Sequence, residues 1–240
     1  ADVPVMREVP GGSVKLCFSS AVFKSAEGDI LDEKYFTTEA VASSPAFRSA
    51  LAGRKRQKGD PMRPRGPLMI EHRLIEKMMR ILADKIPKIR EAQKVEPAFI
   101  DPVIDFMRTY TDKIHHGKEE AIYFRECAKK EMTAAEARML KELLHEHEIS
   151  RRAVETIAQA RKRYPKEENA LEVIVEKLEF LVEIYRGHID KEDHRFFPDS
   201  EKYFSEAEQA AMLKEFLEFD KKMVQEKYKT VVEDLQKGPA

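Results

Sequence analysis

Residues 110–125 read YTDKIHHGKEEAIYFR and hold a histidine and a glutamate four positions apart, His115 and Glu119. On an α-helix, positions i and i+4 lie on one face, and their Cβ atoms are about 5 to 6 Å apart. An imidazole and a carboxylate at this spacing can serve one metal ion or two adjacent ions. The stretch therefore predicts one helical half of a metal site.

A second copy of this spacing lies downstream, in residues 185–198, which read YRGHIDKEDHRFFP. There, His188 and Glu192 stand in the same relation as His115 and Glu119. A single His-x-x-x-Glu pair is common on the surface of a helix, so one copy alone would indicate little. Two copies in one chain favour a shared metal site.

The segments around the two copies have the apolar spacing of amphipathic helices. From residue 67 onward, apolar residues recur at intervals of three and four. Thr133 with Glu136, and Ser205 with Glu208, form capping-box patterns that begin two of the helices. The predicted helices span about 67–87, 100–129, 133–163, 169–198 and 205–238. Long helices joined by short connections predict an all-α fold, an up-and-down four-helix bundle with an additional C-terminal helix.

The composition agrees with such a bundle and excludes several other classes. Charged residues make up 36% of the 240 residues and glycines number only nine, a mix typical of amphipathic helices. The 43 basic and 44 acidic residues nearly cancel, so neither nucleic acid nor a membrane surface is an expected partner. Two cysteines in no paired motif argue against disulfides and a thiolate metal site, and predict a reducing, cytoplasmic location. No apolar run is long enough for a membrane span.

Residues 1–66 differ from the rest and are predicted to form a small mixed segment, with a β-like run over residues 14–23. The segment ends in the stretch RKRQKGDPMRPR, residues 54–65, in which six of twelve residues are basic. Such a run could contact phosphates, but a solvated linker is the expected role. We place a domain boundary near residue 66, so that residues 67–240 form the helical domain, and a protein partner could bind through residues 1–66.

The helical period predicts which of the seven histidines face the bundle interior. On the second predicted helix, His115 lies on the same face as apolar residues, whereas His116 lies on the same face as polar residues. His115 is therefore predicted to face inward and His116 outward. The same count favours His147 over His145 and His188 over His194. The predicted inward set is His72, His115, His147 and His188, together with Glu119 and Glu192.

These six donors are also predicted to lie at one level of the bundle. The four histidines and Glu119 lie about 10 to 19 residues from the helix ends at the turns that join neighbouring helices, and helices rise about 1.5 Å per residue. A buried set of imidazoles and carboxylates suits two iron ions bridged by the carboxylates better than calcium or thiolate-bound zinc. Each iron would keep about two positions for an oxo or hydroxo bridge and an exchangeable ligand. Manganese is an alternative metal.

Four motifs in this order resemble the hemerythrin-like, or HHE cation-binding, family. They are EHRLIE at 71–76, HHGKEEAIYF at 115–124, HEHE at 145–148 and HIDKEDHRFFP at 188–198. The resemblance covers residues 67–198 and leaves the first 66 residues outside. It implies a non-haem di-iron centre with ligands His72, His115, His147 and His188 and with bridging Glu119 and Glu192.

The chain departs from the oxygen-carrying hemerythrins at Arg151, where those proteins have a fifth histidine. It looks like the branch with four histidines and two glutamates, which includes proteins implicated in nitric oxide or peroxide chemistry and in repair of iron–sulfur clusters. Arg151 is expected to face an acidic partner, and Tyr110, Tyr123 and Tyr185 are expected to pack in the core or to support the site by hydrogen bonds.

The expected function is a di-iron protein that binds, and reacts with, a small ligand such as O2, NO or peroxide. Whether it is an enzyme, a di-iron oxidoreductase acting on NO or peroxide, stays open at this point. One alternative is an oxygen, redox or iron sensor that signals through residues 1–66. Another is iron storage or donation.

Overall fold

The computed structural model describes residues 7–8, 14–15, 62–167 and 169–237, with side chains as far as residue 233. The chain divides into two units, Ala1–Asp60 and Pro61–Ala240. In the first unit, strands β1 (Arg7–Glu8) and β2 (Val14–Lys15) pair in antiparallel orientation, with Arg7 opposite Lys15. The rest of the predicted β-like run and most of the basic stretch lie outside the described residues. The domain boundary near residue 66 stays a prediction.

The second unit is an all-α bundle, which confirms the predicted fold class. The first bundle helix is α1 (Arg65–Ala92), and the third is α4 (Ala134–Arg163). The second (residues 97–127) and fourth (residues 170–200) each combine α- and π-helical turns, and a C-terminal helix follows. The second bundle helix consists of α2 (Pro97–Asp105), the π-helices Phe106–His116 and Glu119–Phe124, and α3 (Arg125–Cys127). The fourth consists of α5 (Ala170–Lys191), the π-helix Glu192–Phe196 and α6 (Phe197–Ser200). A 3₁₀ turn, Glu201–Tyr203, leads to the C-terminal helix α7 (Glu206–Lys237).

Two capping boxes set the starts of helices, as the sequence predicts. The backbone N–H and the hydroxyl of Thr133 both donate to Glu136, whose own N–H donates back to the Thr133 hydroxyl at 3.3 Å. Ser205 and Glu208 repeat these contacts at the start of the C-terminal helix. Each box pairs backbone groups that a helix start otherwise leaves free.

The predicted helix ends at residues 87 and 198, both of which are prolines, are wrong. The first bundle helix continues through Pro87 to Ala92, because Ile86 and Ile89 on either side of the proline are buried in the core. Burial of such side chains offsets the single backbone hydrogen bond that a proline removes. Likewise, helical structure continues past Pro198 as far as Tyr203.

The core consists of two apolar clusters with a polar layer between them. One cluster contains Ile75, Leu178 and Leu181, and the other contains Leu68 and Phe197. Along the first bundle helix, His72 therefore lies between an apolar residue of each cluster. The C-terminal helix adds Met212 and Phe216 to the second cluster. The polar layer is thus enclosed at both ends by close-packed apolar side chains.

Candidate metal centre

Seven side chains with metal-binding groups converge in the polar layer, and all are nearly inaccessible to solvent. Glutamates almost never occur at such low exposure without partners, because burial of a charge is costly. The seven residues, each at most 3% exposed, are His72, His115, His116, Glu119, His147, His188 and Glu192. They include all six residues that the sequence predicts for the site, and they add His116.

The first group of converging donors is His72, His115, Glu119 and Glu192, whose donor atoms lie within 4.8 Å of one another. His115 Nε2 is 3.3 Å from Glu119 Oε1, and His72 Nε2 is 3.2 Å from Glu192 Oε2. Ligand atoms about 2.1 Å from one ion are about 3.0 Å apart at right angles and about 3.4 Å apart in a tetrahedron. The spacing of the first group is therefore that of atoms around a common cation.

The second group is His116, Glu119, His147 and His188, with donor atoms again within 4.8 Å. The Nε2 atoms of His147 and His188 are 3.1 Å apart, and His147 Nε2 is 3.5 Å from Glu119 Oε2. The ring of His116 stacks on the ring of His147, with centroids 3.8 Å apart and planes 11° from parallel. This group offers three imidazoles to a second cation.

Two carboxylates link the groups. Glu119 directs Oε1 toward His115 and Oε2 toward His147, so its two oxygens face different groups. Glu192 Oε2 lies 3.2 Å from the Nε2 atoms of both His72 and His188. A carboxylate that spans two ions is a common bridge in paired metal sites built within helical bundles. The two groups of donors are therefore adjacent and linked by carboxylates.

Several of these donor atoms are buried without a hydrogen-bond partner, which tests whether a cation suits the site. Both oxygens of Glu119, both oxygens of Glu192, His72 Nε2 and both nitrogens of His116 have none. Buried polar atoms are nearly always paired, and an unpaired one costs about 1 to 3 kcal/mol. A cation would pair them, so the donor set fits bound metal.

The burial of His116 corrects the prediction that this side chain turns away from the core. Residues 106–116 form a π-helix, in which each hydrogen bond spans one more residue than in an α-helix and successive side chains are closer in direction. His115 and His116 both face the interior as a result, with 1% exposure each. The sequence does show two adjacent histidines, which could have indicated two inward side chains. A fixed helical period of 3.6 residues, however, allows only one of the two to face inward.

A ring of carboxylates surrounds the imidazoles. The Nδ1–H groups of four histidines each donate to a carboxylate on the neighbouring bundle helix. Together the four hydrogen bonds connect all four bundle helices in a closed circle. The pairs are His115 to Glu71 (3.0 Å), His147 to Glu120 (2.7 Å), His188 to Glu146 (2.9 Å) and His72 to Asp193 (2.7 Å). Such bonds fix the tautomer and direct Nε2 toward the metal. Sequence reasoning missed these four acids, although each is adjacent to a predicted ligand in the chain.

Each carboxylate of the ring also forms an ion pair with one basic side chain. That basic residue and the histidine bound to the same carboxylate lie on one helix. The ion pairs are Lys118 with Glu71, Arg151 with Glu120, Lys191 with Glu146 and Arg73 with Asp193. Arg151 also donates to Asp112 at 2.6 Å, which confirms that it faces acidic partners. Arg151 therefore holds the carboxylate that is paired with His147.

The electrostatics favour the neutral, metal-binding form of His115 and His116. Burial, reinforced by the neighbouring histidines, holds the pKa of His115 and of His116 well below the ordinary value. Burial would lower the pKa of His72 as well, but the nearby carboxylates of Asp193, Glu119 and Glu192 raise it well above its ordinary value. Burial and the charge of Glu192 raise the pKa of Glu119 well above its ordinary value. Burial would also raise the pKa of Glu192, but His188 and His72 lower it to about 2.

The remaining predicted residues lie outside the donor set. The side chains of His145 and His194 are 64% and 71% exposed, as the helical period predicts. Tyr123 shares a hydrogen bond of 3.0 Å with Ser200. Tyr185 packs against the ring of His188 with centroids 6.0 Å apart, and it donates to Ser150 at 3.3 Å.

A cleft of about 280 Å³ approaches the second group from the side. Ser150, Arg151 and Tyr185 line it, and Ser150 and Tyr185 also border the small space beside His116 and His147. A second, larger cleft of about 680 Å³ borders Asp112 and the C-terminal helix. None of the seven donors lines either cleft, but the smaller of the two shares Ser150 and Tyr185 with the space beside the donors.

The fold and the donors define a cation-binding helical bundle of the kind in which inward-facing side chains of four helices hold metal. In the part of the chain that the structure describes, no helix combines the length and the apolarity needed to cross a membrane.

The sequence model of the hemerythrin HHE cation binding domain matches residues 66–200, more than half of the chain. The chain therefore belongs to the hemerythrin HHE cation-binding domain family, as its motifs predict. No curated protein and no solved structure matches it.

Proposed function

We propose that the chain holds two iron ions and that a small ligand, O2, NO or peroxide, binds and reacts there. The observation that carries the proposal is the convergence of buried donors with unpaired atoms into two groups that share Glu119. The first ion would be held by His72, His115, Glu119 and Glu192. The second would be held by His116, His147, His188 and Glu119, so His116 joins the six predicted ligands.

The donor chemistry favours iron. Five imidazoles and two carboxylates form a mixed nitrogen and oxygen set, whereas magnesium and calcium prefer oxygen alone and structural zinc often takes thiolates. Four protein donors per group leave about two positions on a six-coordinate ion, where a bridge and an exogenous ligand can bind. When bound, the two irons supply the redox chemistry, because no donor of the site is itself redox-active.

The protein residues have three tasks in this proposal. The carboxylate ring orients the imidazoles through Nδ1, the two apolar clusters keep bulk water from the ends of the polar layer, and the cleft beside Tyr185 and Ser150 admits a small molecule. Closely packed walls around the donors exclude large substrates. A diatomic molecule or peroxide is of the size that such a site accepts.

The test is to purify the chain without added metal, to determine iron and manganese, and to mix the ferrous protein anaerobically with NO or peroxide. We expect about two irons per chain, absorption changes on ligand addition, and loss of both in His115→Ala. Zero metal would overturn the proposal. Protein that oxidises ferrous iron but leaves NO and peroxide to decay at the buffer rate would favour iron storage, and transfer of the iron to an acceptor would favour donation.

A further inference from the structure

Lys118 is a buried cation next to the metal centre. Its side chain is 1% exposed, although lysine is among the residues least often buried. Its Nζ forms a close ion pair with Glu71 and a second ion pair, of 2.8 Å, with Asp220 of the C-terminal helix. A buried charge of this kind is tolerated only when it is paired, and both acids provide that pairing.

These contacts connect the C-terminal helix to a metal donor. Glu71 accepts the Nδ1–H of His115 at 3.0 Å, so a continuous path leads from Asp220 through Lys118 and Glu71 to His115. The other three cations of the ring differ. Among the described residues, their ion pairs stay within the four bundle helices.

The C-terminal helix also packs directly on the backbone that carries the ligands. A Cβ atom placed on Gly117 would lie 2.7 Å from Cζ of Phe219, so the aromatic ring occupies the space that a side chain would fill. Gly117 is flanked by His116 and by Lys118 and lies two residues before Glu119. Displacement of the C-terminal helix would therefore disturb both the ion pairs and the backbone beside the ligands.

We propose that Lys118 and Asp220 are positioning residues for His115, and that docking of the C-terminal helix is coupled to metal binding at the first group. The inference rests on the proposed function, because it requires that the first group bind a metal ion. Lys118 fixes the position of the Glu71 carboxylate through their ion pair, and Glu71 accepts the Nδ1–H of His115, which directs Nε2 of His115 toward Glu119. Asp220 keeps Lys118 in place, so the helix contributes to the geometry of one group.

The first test measures stepwise iron affinity. Wild type, Lys118→Met and Asp220→Asn are titrated with ferrous iron, under anaerobic conditions, against a chelator of known affinity. Loss of a residue that orients a metal ligand costs about 10- to 100-fold in affinity, so Lys118→Met should weaken one of the two binding steps by that factor. Asp220→Asn should weaken the same step by about 5-fold or more. The double variant should be no weaker than Lys118→Met, because both act through one path.

Lys191→Met is the matched control, since Lys191 pairs with Glu146, which orients His188 of the second group. It should weaken the other binding step and combine additively with Asp220→Asn. Equal weakening of both steps by Asp220→Asn, or wild-type affinity in both Lys118→Met and Asp220→Asn, would overturn the inference. Asp220 is 43% exposed and its variant is expected to fold, so the test stands even if Lys118→Met does not.

The second test uses hydrogen exchange of the C-terminal helix. Because coupling is reciprocal, iron binding should slow exchange near Met212 to Asp220 in wild type, and this protection should be lost in Asp220→Asn. Exchange that is unchanged by iron in wild-type protein with two irons bound would contradict the coupling. A wild-type protein that binds no iron would instead overturn the proposed function, so the two failures are distinguishable.

Discussion

Replacement of Glu119 by glutamine should change the stability of the protein in opposite directions with and without metal. Glu119 is fully buried, neither of its oxygens has a hydrogen-bond partner, and Glu192 places a second carboxylate in the same layer. Glutamine has nearly the same shape but no charge, and its amide can donate to a neighbouring oxygen. In metal-free protein, the substitution therefore removes an unfavourable buried group.

The magnitude follows from the cost of an unpaired buried group, about 1 to 3 kcal/mol. In excess chelator, Glu119→Gln should unfold at a higher urea concentration, with a free energy of unfolding raised by roughly that amount. At free iron 100 times the dissociation constant, wild type gains about 2.7 kcal/mol per site. The variant should gain little, because both groups lose their shared donor, so wild type becomes the more stable protein when iron is present.

The assay is urea unfolding followed by circular dichroism, with the chelator and with ferrous iron under anaerobic conditions. Glu148→Gln is the control, since its side chain is 60% exposed and pairs with Arg152 and not with a donor. The control should stay within about 0.5 kcal/mol of wild type in both conditions. A Glu119→Gln protein that is less stable than wild type in the chelator would refute the reasoning. So would an iron-dependent gain equal to that of wild type.

Three further predictions concern the bundle and the solvent-exposed histidines. Hydrogen bonds from Lys202 and Tyr203 help to lower the pKa of Glu136 to about 2. The ionised Glu136 should therefore stabilise the fold fully above about pH 4.5, and this contribution should be lost as the pH falls toward 2. Glu136→Gln should remove this pH dependence and lower the free energy of unfolding by about 1 kcal/mol at neutral pH, measured by urea unfolding. Leu178→Ala should lower the free energy of unfolding by about 2 to 5 kcal/mol in the same assay, because Leu178 is fully buried, and a loss below 1 kcal/mol would contradict the described core. His194→Ala should leave the iron content unchanged by elemental analysis, and loss of an iron would show that the wrong histidines have been assigned.

The helices and the inward direction of His72, His147 and His188 were predictable from the sequence because they follow local rules. Thr133 and Glu136 identify a helix start within one turn, and the apolar neighbours of His147 fix its direction. By contrast, the helix that continues through Pro87 depends on burial of side chains contributed by other helices. Local propensity alone does not include that energy.

The site itself was predictable only in part for a similar reason. His116 turns inward because of a π-helix, and no periodicity rule identifies such a segment in advance. The carboxylate ring joins residues that are 27 to 121 positions apart, as for His147 with Glu120 and His72 with Asp193. Pairing over such distances depends on which helices are neighbours and at what height, which the sequence shows only approximately.

Anomalous X-ray scattering at the iron absorption edge, from crystals grown of the iron-loaded protein, tests the central claim most directly. We predict two anomalous peaks. One should lie at coordinating distance from His72 and His115, and the other at coordinating distance from His116, His147 and His188, with the Glu119 carboxylate between the two peaks. A single peak, no peak, or a second iron bound without His116 would contradict the account.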